Sequence, residues 1–276
     1  MRALSSTRAR ARIRELPALP GKPTPPRQAL YVNGPDRWTA GMHHGALEFC
    51  RAGRPVRRFP LSRIDRIVCG DNVDWRGAAL MACMEHGIAV VIEAGRGRAV
   101  GYALPTVEPG EPLHACLELL AAMPAATHRL DNWLRHRRMD VVDRWWREYC
   151  GAHKSPPGYY YEEVKRRYVY NAEAPVYLRD TLRPICEAYV LARLRRHGAL
   201  PVYDCIGGTR LSLLDAFTTL IWGEINLHSG ALAIVASERQ IQLTFLETWF
   251  REHDLVIDRH LTALKFFTTR ELRPWH

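Results

Sequence analysis

No apolar run in this chain is long enough to span a bilayer, so no transmembrane helix is expected. None of its seven cysteines stands in C-x-x-C spacing, and their number is odd. That argues against both a zinc ribbon and a disulfide framework, and a reduced, cytoplasmic setting fits best. The Arg-rich start, Met1 to Arg14, has no apolar segment behind it and is not a secretory signal. P-loop, dinucleotide-binding Gly motif, HExxH and Gly-x-Ser-x-Gly are all missing, which removes the common signatures of nucleotide hydrolysis, hydride transfer, zinc proteolysis and serine hydrolysis. Gly95-Arg-Gly-Arg98 reads as a hairpin turn. No internal repeat is present.

What is abundant is positive charge. The 276 residues carry a net +10, and the excess is mostly arginine. Arginine presents a planar fork suited to bidentate phosphate contacts. Solubility alone would explain such a charge, but a polyanion explains it better, and nucleic acid is the commonest. Apolar residues at 47% and charged residues at 25% are those of an ordinary folded protein.

Residues 1–29 read as a basic, Pro-rich, disordered arm, ending in the proline cluster Pro17 to Pro26. From Leu30 to Leu104, short apolar runs are cut by Gly, Pro and Asp. Leu30 to Val32, Ala46 to Cys50, Val56 to Phe59, Ile64 to Val68 and Ile88 to Ile92 read as strands. Gly77 to His86 reads as a short helix stopped by Gly87. Residues 105–112, with three prolines, read as a linker. Beyond it, apolar residues recur three and four apart. The spacing predicts helices over Leu113 to Met123, Ala126 to Cys150, Ala174 to His197, Leu213 to Leu227, Ser237 to Glu252 and Val256 to Phe267. The expected fold class is α+β: a β-rich unit over residues 30–104, then an all-α unit over residues 113–276.

Three basic clusters fall in the helical half. Arg135, Arg137, Arg138 and Arg144 precede or adjoin Trp145-Trp146. Lys165, Arg166 and Arg167 follow Tyr159-Tyr-Tyr161. Arg193, Arg195 and Arg196 end a helix, where cations also suit the dipole. Each is a candidate phosphate-contacting group, against a solvated, ion-paired face as the alternative. The tyrosine run either stacks on unpaired bases or packs between helices. Trp145 and Trp146 read as core or dimer contacts.

Two sets of segments carry a family resemblance. The first comprises Leu30-Tyr-Val-Asn-Gly-Pro35, Gly45-Ala-Leu-Glu-Phe49, Pro60-Leu-Ser-Arg-Ile-Asp-Arg-Ile-Val-Cys69, Gly87-Ile-Ala-Val-Val-Ile92 and Gly97-Arg-Ala-Val-Gly101. The second comprises Ala174-Pro-Val-Tyr-Leu-Arg-Asp-Thr-Leu-Arg183, running on to Gly198-Ala-Leu-Pro201, and Gly207-Gly-Thr-Arg-Leu-Ser-Leu-Leu-Asp-Ala-Phe217. Both sets resemble Cas1, the integrase of CRISPR spacer acquisition, over about Leu30 to Phe267. The resemblance implies a β-domain that dimerises, a helical domain that holds double-stranded DNA, a homodimer, and a small Cas2-like partner.

It also implies a metal site made of a Glu, a His and an Asp or Glu, holding Mg²⁺ or Mn²⁺ for phosphoryl transfer. Here the resemblance puts the Glu near Arg138 or Met139, with Asp140 as the nearest carboxylate. A carboxylate shifted one residue along a helix points about 100° away. The His position falls in Tyr203-Asp-Cys-Ile-Gly-Gly208, where Asp204 and Cys205 are the only candidates, and a soft thiolate suits neither cation. Asp215 matches the first acid of the following turn, while the metal-binding second acid falls at Thr218 or Thr219. Capping a helix or pairing with a cation is the alternative reading of Asp215. The expectation is a Cas1-like DNA-binding scaffold with weak or lost catalysis and no resident cation. The alternative is an active, metal-dependent integrase or endonuclease using Asp140, Asp204 and Asp215, with Asp140 and Asp215 as metal ligands.

Overall fold

A computed structural model describes residues 27–52, 55–94, 98–106, 111–152, 157–175, 178–206, 208–229 and 239–272. The basic arm expected over residues 1–29 lies outside them up to residue 26. The chain runs β-rich first and helical second. Strands β1 (Gln28–Val32), β5 (Ile64–Gly70), β7 (Ala89–Ala94) and β8 (Arg98–Ala103) form one four-stranded sheet in that order. β1, β5 and β7 are parallel, and β8 closes the edge antiparallel. Strands β4 (Arg57–Pro60), β3 (Ala46–Cys50), β2 (Trp38–His43) and β6 (Val73–Trp75) form a second sheet.

Helix α1 (Gly77–Glu85) links β6 to β7 and buries Ala79 and Cys83. Strands β2, β6 and β8 had no expected counterpart. β2 contains Gly41, β6 is only three residues long, and β8 alternates exposed and half-buried positions. Each therefore has a weak apolar signal.

The first sheet is a middle layer. In β5, Ile67 and Cys69 face the core beneath α1 and the second sheet, while Val68 joins the core of the helical half. In β7, Val90 faces the first core and Ala89 and Val91 the second. Period-two alternation thus divides one apolar run between two cores, and both faces are covered.

The helical half comprises α2 (Pro112–Ala121), α3 (Ala126–Ala152), α4 (Gly158–Val164), α5 (Arg183–Arg196), α6 (Leu213–Ser229), α7 (Arg239–Glu252) and α8 (Asp254–Leu272). α4 continues into a π-helical turn over Lys165–Tyr170. The helix expected from Ala174 starts instead at Arg183, with Pro184 in its first turn, where a missing N–H costs nothing. It ends before Gly198, whose φ of +66° suits glycine. A two-stranded ribbon, β9 (Val202–Asp204) and β10 (Arg210–Ser212), sits between α5 and α6.

α5 is buried along most of its length and packs against β5 and β7. α3 lies against α6. Between them Tyr168 inserts against Gly223, where an added Cβ would come within 2.1 Å of the ring. The Tyr168 hydroxyl donates to the Leu220 carbonyl at 2.6 Å. Only glycine at 223 admits that ring.

Candidate functional site

The second helical-half segment that carries the resemblance, Gly207 to Phe217, meets α3 at a cleft of about 240 Å³. α3 contributes Leu130, Asp131, Leu134 and Arg138, the ribbon contributes Arg210 to Ser212, and α6 contributes Asp215, Ala216 and Thr219. Local sequence builds it. Ser212 caps α6, its Oγ accepting from the Asp215 N–H at 3.3 Å, and Asp215 in the first turn complements the helix dipole. Arg183 Nη2 reaches across to Asp215 Oδ1 and to Thr219 Oγ1, both at 3.3 Å. Thr218 is fully buried, so of the two threonines it is Thr219 that lines the cleft.

Arg138 projects into this cleft at 7% exposure. Its Nε donates to the Leu134 carbonyl at 3.4 Å, and no described carboxylate lies within ion-pair distance. Burial lowers its pKa below the ordinary arginine value, against the pull of Tyr168 and Asp131.

Each aspartate singled out from the sequence is engaged by an arginine. Asp140 pairs with Arg137, one turn away on α3. Asp204 accepts from Arg210 Nε at 3.2 Å across the ribbon. Asp215 pairs with Arg183. All three carboxylates are largely exposed, at 60%, 85% and 75%. Only Asp215 lines the cleft. Among the described residues no group of three His, Cys, Asp or Glu side chains is placed to hold a metal ion. Cys205 is buried, its N–H bonded to the Thr209 carbonyl at 2.9 Å.

The candidate phosphate-contacting cations divide by partner. Arg135 and Arg195 have no acidic partner among the described residues, and Arg135 bonds Asn132 at 3.4 Å. Arg137 is tied to Asp140. Lys165, Arg166 and Arg167 pair with Glu162, Glu163 and Glu173 at 3.8, 2.8 and 3.2 Å. Arg144 pairs with Glu224, and Arg196 with Asp65 at 2.5 Å. Arg193 is buried, pairs with Asp254 and Asp258, and lies over the Tyr189 ring at 5.2 Å. Of the tyrosine run, Tyr160 and Tyr161 pack on Trp145 and Trp146, and Tyr161 donates to Asp143 at 2.8 Å. Tyr159 stands 77% exposed.

Arg183, Arg210 and Asp131 were not anticipated as site residues. Arg183 had read as the middle of a helix, whereas it is the first residue of α5. Its proximity to Asp215, 32 residues on, has no local signature. A second buried cluster was also hidden: Glu224 on α6 accepts from Arg144 and contacts His260 Nε2 at 3.4 Å. Burial pushes the Glu224 carboxyl up, but the His260 hydrogen bond and the Arg144 charge outweigh it and hold it below the usual range.

Known proteins sharpen this picture. Residues 30–121 match the family described as CRISPR associated protein Cas1. No curated protein matches the sequence. Among solved structures, a CAS1 protein from Thermotoga maritima is similar at 12% identity, covering 88% of this chain and 97% of that one, with a TM-score of 0.64. The crystal structure of TtCas1 is similar at 15% identity over 88% and 97%, with a TM-score of 0.51. A casposase bound to integration product is similar at 12% identity over 76% and 74%, with a TM-score of 0.51. At such identities the likeness is one of fold: a β-rich N-terminal region leading into a helical region. The family match is carried by residues 30–121, and the rest of the chain shares the fold of these proteins. No helix of the described residues is long and apolar enough to cross a membrane.

Proposed function

We propose that this protein is a DNA-binding scaffold of the CRISPR-adaptation type, with weak or lost catalysis of its own. One observation carries the reading. The resemblance places a metal-binding glutamate at Arg138 or Met139, and Arg138 occupies the cleft that Asp215 and Thr219 line. A guanidinium repels Mg²⁺ or Mn²⁺, and threonine replaces the carboxylate expected on the first turns of α6. The residues present do not fit a resident divalent cation. Asp140 and Asp204, the other acids an active enzyme would need, stand in exposed ion pairs outside the cleft.

DNA is the proposed partner. The net charge of +10 and the unpaired Arg135 and Arg195 supply phosphate-neutralising groups. The Cas1 match over residues 30–121 and the shared fold support a homodimer built on the β-rich region of residues 30–104, the helical region of residues 113–276 as the DNA platform, a Cas2-like partner and a cytoplasmic location. The casposase that shares the fold was captured on an integration product, which is consistent with DNA handling by this architecture.

The test is a strand-transfer and cleavage assay on branched DNA with Mg²⁺ or Mn²⁺, run beside a binding titration. Salt-sensitive binding without turnover is expected. Mn²⁺-stimulated cleavage that Asp215→Ala abolishes would overturn the scaffold reading.

A further inference from the structure

Three arginines are buried among the described residues: Arg66, Arg138 and Arg193. Arg66 is held by Asp65 at 3.0 Å and Glu247 at 2.7 Å, and its guanidinium lies over the Tyr189 and Phe250 rings. Arg193 has Asp254 and Asp258. Arg138, also buried, has no carboxylate at ion-pair distance among the described residues and only a long hydrogen bond to its own helix. Burying a charge without compensation is costly, and folded proteins rarely leave one so. The exception therefore points to a counter-ion supplied from outside.

The cleft specifies that ion. Its volume of about 240 Å³ exceeds that of one water, about 30 Å³ in the liquid, several times over. The hydroxyls of Thr127, Ser212 and Thr219 line it and offer donors to a tetrahedral oxyanion. Two charges in the lining are already matched elsewhere: Asp215 by Arg183 and Arg210 by Asp204. What remains is Arg138 at the base against Asp131, which is exposed and two turns earlier on α3. A planar guanidinium with free Nη groups suits a phosphate.

We propose that this cleft is a phosphate-binding site anchored by Arg138, which grips the anion directly with no intervening divalent cation. The proposal deepens the scaffold reading and rests on it only for the source of the phosphate, a nucleic-acid terminus or backbone group in preference to free phosphate. Arg138 is then the group that seats a DNA phosphate at the point where the family resemblance expects chemistry.

Thermal unfolding of the full chain in sodium phosphate, against sodium chloride at equal ionic strength, tests the site. Phosphate should raise the midpoint of the native protein, and chloride should not. Arg138→Met should abolish the rise, Arg138→Lys should keep part of it, and Asp131→Asn should enlarge it by removing the competing carboxylate. A midpoint of the native protein indifferent to phosphate overturns the proposal, as does a rise that persists in folded Arg138→Met. Should Arg138→Met fail to fold, Asp131→Asn decides: an unchanged phosphate response there also overturns it.

A second arm identifies the source. Duplexes with and without terminal phosphates are titrated onto native protein and Arg138→Lys. If the ligand is a DNA terminus, the phosphorylated duplex should bind the native protein about tenfold more tightly, with that preference reduced in the variant. A phosphate-induced rise with no preference between duplexes supports the site and assigns it to backbone or free phosphate. Absence of any DNA binding with the rise intact sinks the scaffold reading and leaves the phosphate site standing.

Discussion

α3 and α6 enclose two buried charges a short way apart along the same contact, and the two are treated oppositely. At one, Glu224 accepts from Arg144, contacts His260 and sits 1% exposed. At the other, Arg138 is 7% exposed and faces a cleft without a carboxylate at ion-pair distance. In the first arrangement both carboxylate oxygens have partners within the fold, and it holds three helices together, since His260 lies on α8. The second is complete only when something enters. A buried charge with its partners built in is part of the fold, whereas one without them is a statement about a ligand.

The largest expected effect separates the two directly. Arg144→Met leaves Glu224 buried with His260 alone and should destabilise the protein by about 3–5 kcal/mol. Arg138→Met, in the absence of phosphate, removes an uncompensated charge and should be neutral or stabilising, by up to about 1–4 kcal/mol. Denaturant unfolding of both variants in a phosphate-free buffer measures the difference. Equal losses would erase the distinction between the two sites.

The same contrast has a pH signature. Glu224 is held below the ordinary carboxylate range in the folded state. Its stabilisation is therefore present above the unfolded-state value, about 4.3, and is lost as pH falls through the lower folded value. Native protein should lose stability on acidification over that window, and Glu224→Gln should flatten the loss while lowering stability at neutral pH. Arg138 carries no such dependence there, because a guanidinium stays protonated throughout.

Next in size is Gly223→Ala on α6. The added methyl would meet the Tyr168 ring at 2.1 Å, and the ring is pinned by its bond to Leu220. Overpacking of this kind costs about 1–3 kcal/mol. An additional Tyr168→Leu substitution should recover part of the loss, in a double-mutant cycle that reads the coupling.

How much of this was legible follows from what each feature depends on. Ile88 to Ile92 read as a strand because a run buried on both faces is apolar throughout, and it sits in the middle layer. α3 and α6 read as helices because their apolar spacing is regular over many turns. β6 did not read, because its three residues earn their place only by pairing with β2. The start of α5 was misplaced because either Pro175 or Pro184 could open a helix, and of the two it is Pro184 that lies in the first turn of α5.

In the site, Asp215 was legible as the acid near the start of a helix, a local pattern that left capping or pairing with a cation as its alternatives. The Arg183 contact to it was not, since nothing in sequence joins positions 32 apart. Arg138 stood out as part of a basic run. That it alone of Arg135, Arg137 and Arg138 is buried depends on the face α3 turns to α6, which the cations themselves do not signal. Likewise Arg193 read as a surface cation, yet it is buried against Tyr189 and two aspartates supplied by α8.

The smallest effects lie on the surface and sharpen the contrast from outside the buried sites. Arg135 and Arg195 have no acidic partner among the described residues, whereas Arg166 is held by Glu163 at 2.8 Å. A cation already neutralised releases fewer counter-ions when DNA arrives. Arg135→Ala and Arg195→Ala should therefore each lower the slope of log affinity against log salt by about 1, with folding stability unchanged within about 0.5 kcal/mol. Arg166→Ala should change the slope less, because its loss frees Glu163 and the exposed pair is worth little to the fold. Fluorescence anisotropy of a labelled duplex over a salt series reads all three. Equal slopes for all three variants would mean that ion pairing on this surface does not decide which arginines meet phosphate.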